Sequence, residues 1–179
     1  DENLSALQAG LANLDRHISN LRDNYGVPVV VSINQFVSDT QAEVDLVMDH
    51  CKALGVQVAL SSHWANGGAG ATELAHMVAA LCEGDSTPAN SPHASFVYPN
   101  EASLWEKIEL VATKIYGAAE ITGSSKVRDR LKELSDGGYG HLPVCIAKTP
   151  YSFSTDPALK GAPSQHVMDI REVRLSVGA

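Results

Sequence analysis

The chain has 179 residues, 44% of them hydrophobic, and its 21 acidic and 13 basic side chains give a formal charge of -8. That length and apolar content support one packed domain, or one and a half small lobes. The acidic balance argues against non-specific nucleic-acid binding and against docking on anionic lipid, both of which need a basic surface. No apolar run approaches the roughly 18 residues of a membrane span, and no signal-peptide pattern opens the chain.

Leu4, Leu7, Leu11, Leu14, Ile18 and Leu21 recur three and four apart, predicting an amphipathic helix that ends near Gly26. Residues 27–34 are a short β-branched run, as expected of a parallel strand buried on both faces. Thr40 with Glu43 reads as a capping box, opening a helix with Val44, Val47, Met48, Cys51 and Leu54 on its apolar face and Gly55 at its end. Residues 56–60 form a second predicted strand and residues 66–70 a glycine-rich loop. Leu74, Met77, Val78 and Leu81 mark a third helix closed at Gly84. Helix–strand alternation of this kind indicates an α/β segment on a parallel sheet.

Composition changes after Gly84. Residues 85–99 carry three prolines among Ser and Asn and read as a connector. Asn100 is then expected to cap a helix bearing Leu104, Ile108, Val111 and Ile115, stopped by Gly117. Ser124 or Ser125 caps another, with Val127, Leu131 and Leu134 inward and Gly137-Gly138 at its end. Residues 143–147 and 167–176 are expected strands around a turn-rich loop at 151–163. The domain reading is therefore 1–84 as α/β core, 85–100 as connector and 101–179 as a smaller α+β lobe. Cys51, Cys82 and Cys145 all lie in apolar segments without metal-ligand spacing, and are expected to be buried free thiols in a reducing compartment.

In open parallel sheets, ligands bind beyond the carboxyl ends of the strands. Two segments fall there, residues 34–39 and 61–70, and each carries an aromatic residue. Asn34 closes the first strand with an amide that both donates and accepts, suited to a purine edge or, more plainly, to a turn. Ser61 begins the second segment. Phe36 and Trp64 could face one another as a slot for a flat ring. Spacing alone favours the plainer arrangement, Phe36 under the sheet and Trp64 over a helix end. Gly67, Gly68 and Gly70 lead into a helix start that could meet an anion, or make a tight turn. The phosphate-loop pattern GxxxxGK[ST] occurs nowhere in the chain. His141, Lys148, Tyr151 and Arg171 lack partners at diagnostic spacing, and His141 reads as a hydrogen-bonded structural histidine. No hydrolytic triad or metal-ligand cluster stands out.

The motifs as a set resemble a known family. Asn34-Gln35-Phe36 followed by Asp39-Thr40, the run His63-Trp64-Ala65-Asn66-Gly67-Gly68-Ala69-Gly70, and above all residues 138–149 (GYGHLPVCIAKT) are similar to stretches of formate–tetrahydrofolate ligases. Residues 151–154 (YSFS), 171–176 (REVRLS) and Asn13-Leu14 with His17-Ile18 extend the likeness from end to end. The resemblance implies a phosphate-loop NTPase-like core and a cytoplasmic, homo-oligomeric ligase. Formate would attack the γ-phosphate of ATP, and the N10 amine of tetrahydrofolate would take the formyl group from formyl phosphate. It further implies ATP with Mg²⁺ and a monovalent cation. Phe36 and Trp64 become the folate sandwich, and Asn34, Ser61, Gly67, Gly68 and Gly70 the neighbourhood of the nucleotide. It places the phosphate loop upstream of Asp1. The expectation is therefore a C-terminal portion, inactive by itself, that needs the N-terminal part of the same polypeptide. The alternatives are a non-catalytic folate- or nucleotide-binding or assembly lobe, and another phosphate-loop ATPase sharing only the sheet topology.

Overall fold

Reciprocal helix caps define the scaffold on which everything else is placed. The computed structural model describes residues 2–83, 94–147 and 153–176, in two units, Asp1–Ala94 and Ser95–Ala179. In the first unit, helix α1 (Leu4–Ser19) is capped by the Asn3 side chain and buries Leu11 and Ile18. It ends earlier than the heptad-like spacing suggests. A π-helical turn at Asn20–Asn24 carries the chain onward, and rotating the register there leaves Leu21 exposed.

Strand β1 (Val30–Asn34), helix α2 (Gln41–Ala53) and strand β2 (Gln57–Ser61) form a βαβ crossover. The two strands pair in parallel, from Val30 opposite Gln57 to Asn34 opposite Ser61. Thr40 and Glu43 complete the predicted capping box of α2, and Gly55 adopts φ 67° after it, a conformation that glycine reaches without strain. His50 Nε2 meets Asp15 Oδ1, tying α2 to α1. Val44, Cys51, Val56, Val58 and Ala59 are buried in this unit, Val58 and Ala59 on opposite faces of β2.

The predicted glycine-rich loop is helical. Helix α3 (His63–Asn66) runs into a 3-10 turn at Gly67–Ala71 and then helix α4 (Thr72–Glu83). Gly84, its expected stop, lies outside the described residues. β1 is half-buried rather than buried on both faces, because among the described residues only β2 pairs with it. The apolar residues of α4 likewise include none that is fully buried. A groove of about 270 Å³ runs between α4 and the start of β1, lined by Val27, Pro28, Val30, Val78, Leu81 and Cys82.

In the second unit, helix α5 (Leu104–Lys114) is capped by Ser103 and Glu106, not by Asn100. Reciprocal side-chain and backbone bonds make Ser103 the better cap. Strand β3 (Glu120–Gly123), unrecognised in the sequence, leads into helix α6 (Ser125–Leu134), capped by Ser124, one of the two serines expected there. A π-helical turn at Ser135–Tyr139 follows, with Gly138 at φ 87°. Strand β4 (Val167–Ile170) pairs with β3 in parallel, Glu120 opposite Val167. Parallel pairing requires a crossover, so this unit too is built in the α/β manner, not as the expected α+β lobe. Residues 143–147 are not a strand, because the backbone N–H of Val144 donates to the Tyr98 hydroxyl at 3.1 Å instead of to a ladder. Leu104, Ile108, Ala112, Ile121, Val127, Leu131, Leu134 and Met168 form the core.

Of the cysteines, only Cys51 is buried; Cys82 and Cys145 are exposed. Cys82 sits at the rim of the α4 groove, and Cys145 lies in the irregular segment that replaces the expected strand. Burial raises the Cys51 thiol pKa, with the Asp15 charge adding to it.

The two capping boxes carry a pH signature. The Thr40 backbone N–H above all holds the Glu43 carboxyl below its usual value, and the Ser103 side chain does the same for Glu106. Depressed folded-state values stabilise the fold above the ordinary 4.5, and that contribution is lost as pH falls through the lowered values. The thermal midpoint of the Glu43→Gln/Glu106→Gln variant should therefore fall less on acidification than that of the parent. Parallel acid profiles for the two proteins would contradict this.

Candidate functional site

The carboxyl ends of β1 and β2 lie side by side, and the two candidate segments leave from them. The ladder runs one residue past the strands, with Gln35 N–H donating to Ser61 O at 3.1 Å. Phe36 and Trp64 therefore start from adjacent tips. Their ring centroids are 6.4 Å apart and their planes 17° from parallel. Phe36 is 54% exposed and Trp64 49%. Neither is packed under the sheet or folded over a helix end, the arrangement that spacing alone favours. A flat ring lying between two others needs roughly 7–8 Å, twice a van der Waals contact. The centroid distance is an upper bound on the gap between the walls, so they would have to part by at least about 1 Å to admit a ring.

Polar groups around the slot hold its walls. The Trp64 indole N–H donates to the Gln35 carbonyl, and Phe36 N–H donates to Asp39 Oδ2 at 2.8 Å. Ser61 is buried, and its hydroxyl bonds His63 Nδ1 at 2.9 Å, so part of its hydrogen-bonding capacity is spent inside the turn. Asn34 is exposed at the end of β1, opposite Ser61 in the register.

Three glycines shape the second segment differently. Gly67 takes φ 56°, and open space surrounds it and Gly68. Gly70 has no such freedom: a Cβ there would stand 2.6 Å from the Ser62 carbonyl carbon and 2.7 Å from His63 N. Its own carbonyl accepts from Ser62 N–H at 3.0 Å, closing the turn that carries Trp64. Gly70→Ala must displace backbone, and should cost about 1–2 kcal/mol of stability by overpacking, shifting Trp64 as it does so. Denaturant unfolding of the variant reads the cost; an unchanged midpoint would show that the turn can yield.

The remaining sequence candidates lie elsewhere. His141 is exposed, and its Nδ1 meets Gly138 O at 2.9 Å, the local structural bond expected of it. Arg171 is exposed beyond β4. Lys148 and Tyr151 lie outside the described residues. Two residues escaped the sequence reading, Asp39 beside the slot and Lys107 in the second unit. Asp39 was visible only as a motif letter, although an acid three residues after Phe36 can reach back to that residue's N–H as the acid of a capping box does. Lys107 is fully buried; its position three residues after Leu104 and one before Ile108 placed it on the apolar face. Among the described residues no group of three His, Cys, Asp or Glu side chains could hold a metal ion, and no helix is long and apolar enough to cross a membrane.

Comparison with known proteins agrees with these motifs. The family model for formate–tetrahydrofolate ligase matches residues 1–179. The formate–tetrahydrofolate ligase of Methylococcus capsulatus is 56% identical over 178 residues, covering 99% of this chain and 31% of that protein. Those of Granulibacter bethesdensis and Pelagibacter ubique are 52% and 49% identical, each over 178 residues. The chain spans about 30% of the length of the curated relatives it matches. A match along the whole chain, at half-identity and over motifs that the two strand tips bring together, makes this chain a member of the formate–tetrahydrofolate ligase family.

Proposed function

We propose that this chain is the carboxyl-terminal portion of a ligase that makes 10-formyltetrahydrofolate from formate, tetrahydrofolate and ATP, and that it supplies the folate-binding slot. The observation that carries the proposal is the near-parallel pair Phe36 and Trp64, exposed at adjacent strand tips. A pteridine between them would gain two stacking faces, each worth about 0.5–1.5 kcal/mol beyond burial. Held there, tetrahydrofolate would present its N10 amine to formyl phosphate in a fixed orientation, and orientation of this kind lowers the barrier to attack on the formyl carbon. Asn34, Ser61 and the Gly67–Gly70 turn would lie towards the nucleotide.

The residues described here do not fit a Mg²⁺–triphosphate complex. They offer no cluster of metal-ligating side chains, and the sequence has no phosphate-loop pattern. The phosphoryl step is assigned to the rest of the ligase, where a phosphate loop and Mg²⁺ would neutralise the transferring group. A monovalent cation, a homo-oligomeric assembly and a cytoplasmic location follow from the family resemblance in the same way. The test is ATP- and formate-dependent formation of 10-formyltetrahydrofolate by the intact ligase and by this chain separately. Activity in the intact protein alone is expected. Activity in neither would favour a non-catalytic binding or assembly lobe, and activity in the isolated chain would refute the assignment of the phosphoryl step.

A further inference from the structure

The slot has walls that are not held by packing. Phe36 is 54% exposed and its neighbour Val37 88%, so burial cannot fix the angle of the Phe36 ring. What is held is the peptide group that bears it. The Gln35 carbonyl accepts from the Trp64 indole N–H. The other end of that same peptide plane, the Phe36 N–H, donates to Asp39 Oδ2 at 2.8 Å. One wall thus grips the peptide that carries the other, and Asp39 grips it from the opposite end.

Asp39 is itself well anchored. Its backbone N–H donates back to Phe36 O at 3.1 Å, so residues 36 and 39 clasp each other twice. The next residue begins a second reciprocal clasp. Thr40 N–H donates to Glu43 Oε2 at 3.0 Å, and Glu43 N–H donates to Thr40 Oγ1 at 3.3 Å. The Thr40 hydroxyl also donates to Glu2 Oε2 at 2.6 Å, bringing in the start of α1. Two successive clasps thereby connect the Phe36 peptide to the first turn of α2, whose Val44 and Cys51 are buried in the core of the unit. The bond from Phe36 to a carboxylate is charge-assisted and about twice as strong as a neutral one. It also polarises the peptide, so that the Gln35 carbonyl is a better acceptor for Trp64.

We propose that Asp39 is a positioning residue of the folate slot: through the Gln35–Phe36 peptide it sets the Phe36 ring parallel to Trp64 and pre-organises the slot for a flat pteridine. The inference rests on the reading of Phe36 and Trp64 as the folate site. Without Asp39 the peptide keeps only its bond to Trp64, the Phe36 ring is free to swing into solvent, and folate must order that wall on binding.

The experiment is steady-state kinetics on the intact ligase carrying Asp39→Ala, Asp39→Asn and Trp64→Ala. Asp39→Ala should raise KM for tetrahydrofolate about tenfold, while KM for ATP, KM for formate and kcat at saturating folate change by less than about twofold. Asp39→Asn retains an amide oxygen that can accept from Phe36 N–H, and should recover most of the loss. In the Trp64→Ala background, Asp39→Ala should add little, because both act through one slot. Equal increases in all three KM values would overturn the proposal, as a merely structural loss acts on every substrate. So would an unchanged folate KM in Asp39→Ala while Trp64→Ala raises it; the slot would then stand without its proposed anchor. An unchanged folate KM in Trp64→Ala would instead remove the slot itself. Should Asp39→Ala not fold, Asp39→Glu keeps the charge and misplaces it by one methylene. It should raise folate KM selectively, and a non-selective effect counts against the proposal in the same way.

Discussion

Trp64→Ala in the intact ligase should raise KM for tetrahydrofolate roughly 30-fold, corresponding to about 2 kcal/mol, and leave KM for ATP nearly unchanged. The substitution removes one of two near-parallel walls, whose centroids stand 6.4 Å apart, and with it the donor to the Gln35 carbonyl. Two losses therefore combine: a stacking face with its buried area, and the bond that couples the walls. Trp64→Phe separates them. It keeps a flat face without the indole N–H, and a folate KM between those of the parent and Trp64→Ala is expected. Because Trp64 is half-exposed, its removal should change the unfolding midpoint little, so the kinetic effect can be read as binding. An unchanged folate KM in Trp64→Ala would take the residue out of the site.

The largest effect on stability is expected from Lys107→Met, at about 2–3 kcal/mol. Lys107 is fully buried on α5. Its ammonium donates to the carbonyls of Gly140, His141 and Leu142 at 3.3, 3.3 and 3.1 Å, and lies 5.9 Å from the centre of the Tyr98 ring. Among the described residues no carboxylate pairs with it. The three carbonyls follow the π-helical turn at Ser135–Tyr139, at a helix end, where carbonyls lose their intrahelical partners. One cation therefore meets several acceptors and fixes the start of the 138–147 segment. Methionine keeps most of the stem volume, so the loss measured would be that of the ammonium and not of a cavity. Lys107→Arg should not restore stability, because a planar five-donor fork cannot replace a point charge aimed at three converging oxygens. Chemical denaturation of the second unit is the measurement, and a midpoint within error of the parent would show that water can replace the ammonium there.

Both residues show where legibility stopped. That the two aromatics lie at strand tips was readable, because each follows an apolar strand; that they face one another came from the family resemblance, since spacing by itself favoured separate packing. Their separation and tilt were not readable, since these depend on the β1–β2 register and on hydrogen bonds to Gln35 and Asp39. Lys107 was overlooked because a lysine in an amphipathic pattern is normally assigned to the wet face. Its place on the apolar face was local information, but the carbonyls that satisfy its ammonium lie 33 to 35 residues away, which no local pattern encodes.

By itself the sequence determined the longer helices, the cap at Thr40, the first βαβ unit and the motifs of the family, all of which reside in neighbouring residues. Only the tertiary structure decided that Glu120–Gly123 is a strand, since its partner is Val167–Ile170 and a four-residue strand is stabilised mainly by what it pairs with. It also decided that residues 143–147 are not a strand, and that Cys82 and Cys145 are exposed. The physical reason is common to these cases. A helix closes its hydrogen bonds within a few residues and announces itself locally, whereas strand pairing, burial and the gap between two rings are settled by groups distant in the chain.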